Sequence, residues 1–530
     1  MVNTSAKQST PMIANVLFGF LLAAMSIYFI TWGLEYTLNQ QVLLFMVSTF
    51  FGIFMAFNIG GNDVANSFGT SVGAGTLTVT QALAVAAIFE VSGAVLAGAA
   101  VTDTIRSGIV NIGDLGVSPN QFIYLMLSAL AAAAFWLLFA TKKGLPVSTT
   151  HAIIGGIVGS SIVLGINIGG TELAFSTVKW SKIGEIAISW VVSPVLGGAL
   201  SYVLYGLIKR KILAYNERIE EKVKHLKSQK KQLKRNQKSY FERLQDSEKL
   251  PYTTALLRDQ ETFKDADVVR EELETDYYKH LYDLENERDS LDTLKALKTW
   301  VPLIAAFGAV IMSAMVVFKG LKNTGVNLSN LHASLIMGMI GAMVWLTAFI
   351  YTKTIRGKHK EDLGKATFIM FSWMQVFTAC AFAFSHGSND IANAVGPFVA
   401  IMDVIRTNAI AATAEVPAPV MITFGVALIV GLWFIGKEVI QTVGTNLTKM
   451  HPASGFSAEL AAAAVVMGAS SLGIPVSSTH ILVGAVLGIG LVNRNTNWKL
   501  MKPIGMAWVI TLPAAAIISA LMFLILTNIL

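Results

Sequence analysis

Asn58-Ile59-Gly60-Gly61-Asn62-Asp63-Val64-Ala65-Asn66-Ser67-Phe68-Gly69-Thr70 follows directly on an apolar run, Val42 to Phe57, that is long enough to form part of a membrane span. A carboxylate, several carboxamides, two hydroxyls and three glycines at that place are costly in hydrocarbon. They are tolerated where protein buries them or a watery cavity meets them. The same wording returns downstream as Ser385-His386-Gly387-Ser388-Asn389-Asp390-Ile391-Ala392-Asn393-Ala394-Val395-Gly396-Pro397. Two copies of G-x-N-D-x-A-N mark a site rather than an accident.

A second pair of words supports the first. Gly144-Leu145-Pro146-Val147-Ser148-Thr149-Thr150-His151 is matched by Gly473-Ile474-Pro475-Val476-Ser477-Ser478-Thr479-His480. Nearly the same length of chain separates Asp63 from His151 and Asp390 from His480, so a whole unit is repeated, roughly 110 residues in each half. The match extends to Ser128–Ala134 and Ser457–Ala463, where Glu459 stands opposite Leu130.

Composition sets the surroundings. Of 530 residues, 54% are hydrophobic and 14% charged, and the mean hydropathy is +0.59. Soluble domains carry about 25% charged residues. More than half of the charges lie between Lys209 and Lys298, so the rest is a Gly- and Ala-rich, polytopic membrane protein of about twelve spanning segments. The net charge of +7 reflects basic residues at segment ends and is no nucleic-acid signal. Cys380 is alone and reads as a packing residue, without disulfide or reactive role. Met1 to Pro11 is polar, and the apolar run after it reads as a retained anchor helix.

Basic residues set the orientation. Lys142-Lys143, the interval from Lys209, and the cluster Lys353, Arg356, Lys358, Lys360 and Lys365 all fall inside if the N-terminus is cytoplasmic, with Lys319 and Lys322 the minor violation. The two Asn-Asp segments then enter from opposite faces, which predicts two inverted-topology repeats with broken helices and a site near the midplane. The expected division is an N-terminal anchor helix (1–41), membrane repeat 1 (42–208), a cytoplasmic charged insert (209–299) and membrane repeat 2 (300–530). Ile219, Val223, Leu226, Leu233, Tyr240 and Leu244, with Leu273, Tyr277, Leu281, Leu284 and Leu291 after Pro251, predict a helical hairpin, coiled-coil in character, for the insert.

Pro-Val-Ser-Thr-Thr-His reads as a helix start inside the membrane. Pro suits the first turn, and Ser or Thr caps free N–H groups. Such a start carries about half a positive charge and is an anion site. The oxygens of the Asn-Asp motifs are hard ligands suited to Na⁺, with Asp63 and Asp390 supplying charge; proton binding is the alternative. Glu90, inside an apolar run, Glu459, at the start of one, and His386, before the second motif only, are further functional candidates. Asp103 with Arg106, and Asp403 with Arg406, read as pairs near the interfaces. His151 and His480 read as packing and hydrogen-bonding groups. Ser-Thr-Thr-His as the nucleophile and base of an intramembrane hydrolase is disfavoured, because adjacent residues at a helix start converge poorly. A passive anion channel is a further reading, which uptake against a gradient decides.

These four motifs, in this order over both membrane halves, resemble the inorganic phosphate transporter (PiT) family. The resemblance implies an inverted-repeat secondary transporter, not an enzyme, that imports phosphate with a cation by alternating access across the plasma (inner) membrane, in contact with lipid and as a homodimer. It implies phosphate contacts at Ser148, Thr149, Thr150, Ser477, Ser478, Thr479, Asn62 and Asn389. It places cation ligands at Asp63, Asn66, Asp390 and Asn393, with Na⁺ at Asp63 and Asp390. No cofactor beyond the coupling ion is implied. The intact Asn-Asp-Val-Ala-Asn wording resembles the sodium-coupled members. A proton-coupled or metal-phosphate symporter, and a sulfate or other oxyanion permease of the same family, are the alternatives. Gly61 stands where Ala is common in the family, and the N-terminal helix is additional.

Overall fold

The computed structural model describes residues 12–111, 116–265, 267–320, 328–354, 363–411, 416–446 and 449–529. Met1 to Pro11, Lys322, Arg356, Lys358 and Lys360, used above for orientation, lie outside the described residues. The described chain is helical, with one isolated bridge between Val110 and Val178.

α1 (Met12–Tyr36) is followed by α2 (Val42–Ile59), a π-helical turn (Gly60–Val64), α3 (Ala65–Gly73), α4 (Val79–Ala97) and α5 (Ala99–Ser107). Next come α6 (Pro119–Lys142), α7 (Thr149–Gly169), the short α8 (Thr171–Ala174) and α9 (Trp180–Ile208). The insert forms α10 (Ala214–Arg243), α11 (Asp246–Thr262) and α12 (Asp276–Ser290). The second half runs α13 (Lys295–Met315), α14 (Asn330–Thr354), α15 (Leu363–Asp390), α16 (Ala392–Thr407) and α17 (Ala418–Ile435), and ends with α18 (Lys437–Gln441), α19 (Pro452–Ser471), α20 (Ser478–Asn493) and α21 (Trp498–Ile529). Among the described residues, 12 helical runs are long and apolar enough to cross a membrane.

Two compact units emerge: one within Met1–Gly206, Ala306–Ala342 and Phe371–Leu530, the other Leu207–Ala305 with Met343–Met370. In the second unit the insert holds three helices rather than a two-helix hairpin. α10 runs antiparallel to α12, tied by Tyr215 Oη donating to Asp292 O (3.0 Å) and by the Lys230–Glu285 ion pair. Asp259 accepts from the amides of Glu274 and Thr275 (2.7 Å each), which ties α11 to the start of α12. Leu273, expected on a helical face, lies buried in the connection before α12.

In the first unit the repeats pack crosswise, and backbone contacts at glycines hold them. Lipid is as apolar as leucine, so membrane helices associate through close packing, and small residues make it possible. A Cβ at Gly60 of α2 would sit 1.7 Å from Leu428 O of α17, and one at Gly431 of α17 would sit 1.7 Å from Phe57 O of α2. The counterpart joins α15 to α4: a Cβ at Gly387 would lie 2.1 Å from Glu90 O, and one at Gly93 2.0 Å from Phe384 O. Likewise Gly155 and Gly159 of α7 meet Leu512 and Ala516 of α21, and Gly484 and Gly488 of α20 meet Pro194 and Gly198 of α9. Each repeat therefore supplies the partner surface of the other. α1 packs on the second half: its fully buried Phe29 meets Phe398 and Phe424, and Trp433 donates to Asn15 (2.9 Å).

The helices break at the Pro-Val-Ser words, as their reading as helix starts predicts, and not at the first Asn-Asp motif. The first Asn-Asp motif does not unwind; α2 continues through the π-turn into α3, and in the second half only Ile391 separates α15 from α16. Gly60 and Gly61 lack side chains that would keep α2 off α17, so the wider π-turn fits while its hydrogen bonds stay intact. The true interruptions are at Gly144–Ser148 and Gly473–Ser477. Gly144 (φ 65°) and Gly473 (φ 68°) end α6 and α19 in the left-handed region. Leu145 and Ile474 then donate back to Ala140 O and Ala469 O, which closes a Schellman motif.

Candidate functional site

Both helix starts are capped as their sequence demands. Ser148 Oγ accepts from His151 N (3.1 Å) and Ser477 Oγ from His480 N (3.2 Å). The caps leave the amides of the first helical residues without intrahelical partners, which is the general condition of a helix N-terminus.

Asn62 and Asn389 hold the extended segments ahead of these starts. Asn62 Nδ2 donates to Thr141 Oγ1 and Leu145 O (3.0 Å each), and Asn62 Oδ1 accepts from Val147 N (3.0 Å). Asn389 repeats this with Ser470 Oγ (3.0 Å), Ile474 O (3.4 Å) and Val476 N (3.3 Å). Expected as anion contacts, both carboxamides are instead engaged with their own loop. Thr141 and Ser470 were missed at the sequence level; their equal distance ahead of the two Pro-Val-Ser words is the signal that could have found them.

Asp63 joins the two halves. It accepts from Thr149 Oγ1 of its own repeat and from Thr479 Oγ1 of the other (2.7 Å). Asp390 accepts from Ser478 Oγ. Asn393 Nδ2 lies 3.2 Å from both Thr149 Oγ1 and Thr150 Oγ1, and Thr150 donates to Val476 O (3.0 Å). Thr149, Thr150, Ser478 and Thr479 thus meet Asp63, Asp390 and Asn393 in one buried cluster. Asn66 Oδ1, Asn393 Oδ1 and Asp390 Oδ1 are buried with no hydrogen-bond partner among the described residues. A buried acceptor left unpaired costs about 1–3 kcal/mol.

The cluster is not symmetric. His386 Nδ1 lies 2.7 Å from Glu90 Oε2, and its Nε2 lies 2.8 Å from Asp390 Oδ2. Ile59 holds the equivalent place before Asp63, and Leu428 takes the position against α2 that Glu90 takes against α15. Ligand atoms of Asp63, His386 and Asp390 all lie within 4.8 Å of one another.

Glu459 belongs to a separate cluster. It accepts from Thr70 Oγ1 (2.7 Å), Ser71 Oγ, Gln375 Nε2 (3.1 Å) and Thr378 Oγ1 (2.8 Å). Thr70 and Ser71 extend the first motif, whereas Gln375 and Thr378, one turn apart on α15, carried no sequence signal. Arg106 contacts Asp403 (3.5 Å) and donates to Ala411 O (3.0 Å), and Arg406 lies 4.6 Å over the Tyr36 ring. His151 and His480 pack ring to ring, and both nitrogens of His151 and Nε2 of His480 have no partner among the described residues.

Comparison with known proteins agrees with this architecture. The model of the phosphate transporter family matches residues 59–519. A Mycobacterium bovis protein described as "Putative phosphate permease" is 57% identical over 504 residues, covering 95% of this chain and 91% of the relative. One of the same description from Haemophilus influenzae is 33% identical over 492 residues, covering 92% and 97%. A solved structure described as "The sodium-dependent phosphate transporter" superposes with a TM-score of 0.69 at 30% identity, over 92% of this chain and all of that one. The chain therefore belongs to the phosphate transporter family, as an integral, multi-pass membrane transporter and not an enzyme.

Proposed function

We propose that the protein is a Na⁺-coupled symporter that imports inorganic phosphate by alternating access across the plasma membrane, with its N-terminus in the cytoplasm. The observation that carries this reading is the convergence on Asp63 of hydroxyls from both helix starts, Thr149 and Thr479, with Asn393 at Thr149, Asp390 close to Asp63, and one oxygen of each of these two left unpartnered among the described residues. Sodium coupling also agrees with the superposable solved structure being described as a sodium-dependent phosphate transporter.

The coupling follows from which groups the hydroxyls serve. Thr149, Thr479 and Ser478 spend their protons on Asp63 and Asp390. A Na⁺ taken by these carboxylates and by the carboxamide oxygens replaces the hydroxyls as their partner. The hydroxyls then turn to the anion, joined by the free amides of the two helix starts. Asn62 and Asn389 act as positioning residues that hold the loops ahead of those starts. Ser148 and Ser477 cap through their oxygen and keep a proton to donate.

Equilibrium binding of radiolabelled phosphate to the purified protein tests this. Na⁺ should tighten phosphate binding about 5–150-fold, the usual range for coupled sites, and phosphate should tighten Na⁺ by the same factor. Equal phosphate affinity with and without Na⁺ overturns the scheme. A second reading, in which a divalent metal travels with the phosphate, is favoured by the mixed nitrogen and oxygen donor set of Asp63, His386 and Asp390. Phosphate uptake that a metal chelator abolishes while Na⁺ is present selects it.

A further inference from the structure

We infer that His151 and His480 are positioning residues whose ring contact, held between Trp190 and Trp508, sets the separation of the two anion-facing helix starts and so the size of oxyanion accepted. This rests on the proposed phosphate site at Ser148–Thr150 and Ser477–Thr479.

The two rings meet with centroids 4.6 Å apart. Each is backed by a tryptophan: His151 by Trp190 at 3.8 Å and His480 by Trp508 at 3.9 Å. The repeat is exact in kind, because Trp190 lies on α9, the last helix of the first half, and Trp508 on α21, the last helix of the second. Each histidine belongs to the helix start itself, since its amide is the one that the capping serine accepts from. Moving either ring therefore moves a start.

The frame around the rings is stiff. α7 is seated on α21 through Gly155 and Gly159, and α20 on α9 through Gly484 and Gly488, all at backbone contact. Trp508 Nε1 also donates to Pro146 O (3.2 Å), which ties α21 of the second half to the loop ahead of α7 in the first. With both helices pinned farther along, the ring pair fixes the remaining freedom, the gap at the tips. A proton relay does not fit the same residues. Among the described residues no carboxylate pairs with either ring, and three of their four nitrogens have no partner. The imidazoles work here by volume.

The volume argument sets opposite outcomes for smaller and larger side chains. Arsenate is larger than phosphate but has the same shape and charge. Na⁺-driven uptake of both anions is measured in proteoliposomes for the unmodified protein, His151→Ala, His480→Ala and His480→Phe, with the amount of inserted protein measured in each. The alanine variants let the tips close; the phosphate KM should rise about tenfold to a hundredfold, the cost of a displacement near 1 Å, with a smaller change in maximal rate. Their arsenate-to-phosphate preference should fall, and that of His480→Phe should rise. An unchanged preference, or a shift in the same direction for Ala and Phe, overturns the inference. Should the histidine variants fail to insert, Trp508→Phe keeps an aromatic, though smaller, ring beside His480 and deletes the bond to Pro146; a raised phosphate KM is expected, and an unchanged KM overturns the inference. Absence of Na⁺-driven phosphate uptake by the unmodified protein fails the proposed function instead, so the two failures are distinct.

Discussion

Replacing Asp63 by Asn keeps the shape of the side chain and removes its charge. Two losses follow. A carboxamide presents one oxygen and one N–H₂ group where two hydroxyls now donate, from Thr149 and Thr479, so one of them loses its acceptor. Hydrogen bonds to charged groups contribute about 1.5–3 kcal/mol, and the protein is destabilised within that range. The larger loss falls on the cation. A unit charge at 4 Å interacts by about 4 kcal/mol at an effective dielectric of 20, so Na⁺ affinity should drop by roughly a thousandfold. The assay is phosphate uptake into proteoliposomes as a function of external Na⁺, with inserted protein quantified. Asp63→Asn should insert and show no saturable Na⁺ dependence in the range that saturates the unmodified protein. Uptake by Asp63→Asn with an unaltered Na⁺ dependence would refute the assignment of this carboxylate.

Other outcomes follow from the same geometry. Thr479→Val removes the hydroxyl that reaches Asp63 from the opposite repeat, and should weaken phosphate binding more than it lowers the melting temperature, as read by binding and thermal unfolding in detergent. His386→Ala leaves the Glu90 and Asp390 carboxylates facing each other without the imidazole between them; a sharp fall in both thermal stability and uptake is expected, and retention of both contradicts the bridging role. Glu459→Gln turns an acceptor of four donors into a group with its own N–H₂, so about 1–3 kcal/mol of stability should be lost in thermal melts. Gly60→Ala places a Cβ 1.7 Å from Leu428 O, which requires α2 and α17 to separate; overpacking of this kind costs about 1–3 kcal/mol or more, and the yield of folded protein should fall.

The duplicated words carried much of this architecture, because each encodes a local device that acts alone. Pro-Val-Ser marks a helix start wherever it stands, and Gly144 and Gly473 mark the helix end ahead of it. The Asn-Asp words were legible as buried polar sites but not as helix. Whether such a segment unwinds depends on whether a neighbour can approach it, and Leu428 and Ile435 of α17 do so from far along the chain. The same limit hid the asymmetry. Glu90 and His386 stand at unrelated places in their repeats and become partners only because α15 packs on α4. Asn62 and Asn389 invited a ligand role by their chemistry, and only the course of the loops beside them shows where their hydrogen bonds go. Crosswise packing of the halves is a property of pairs of helices, and periodicity within one helix does not report it.

The most direct test of the account is radiolabelled phosphate uptake by proteoliposomes under an imposed Na⁺ gradient, compared with an imposed proton gradient of equal driving force. The account predicts accumulation of phosphate above its equilibrium level with the Na⁺ gradient and collapse of that accumulation when the gradient is dissipated. Accumulation that follows the proton gradient alone, or uptake that only equilibrates under both, would contradict it.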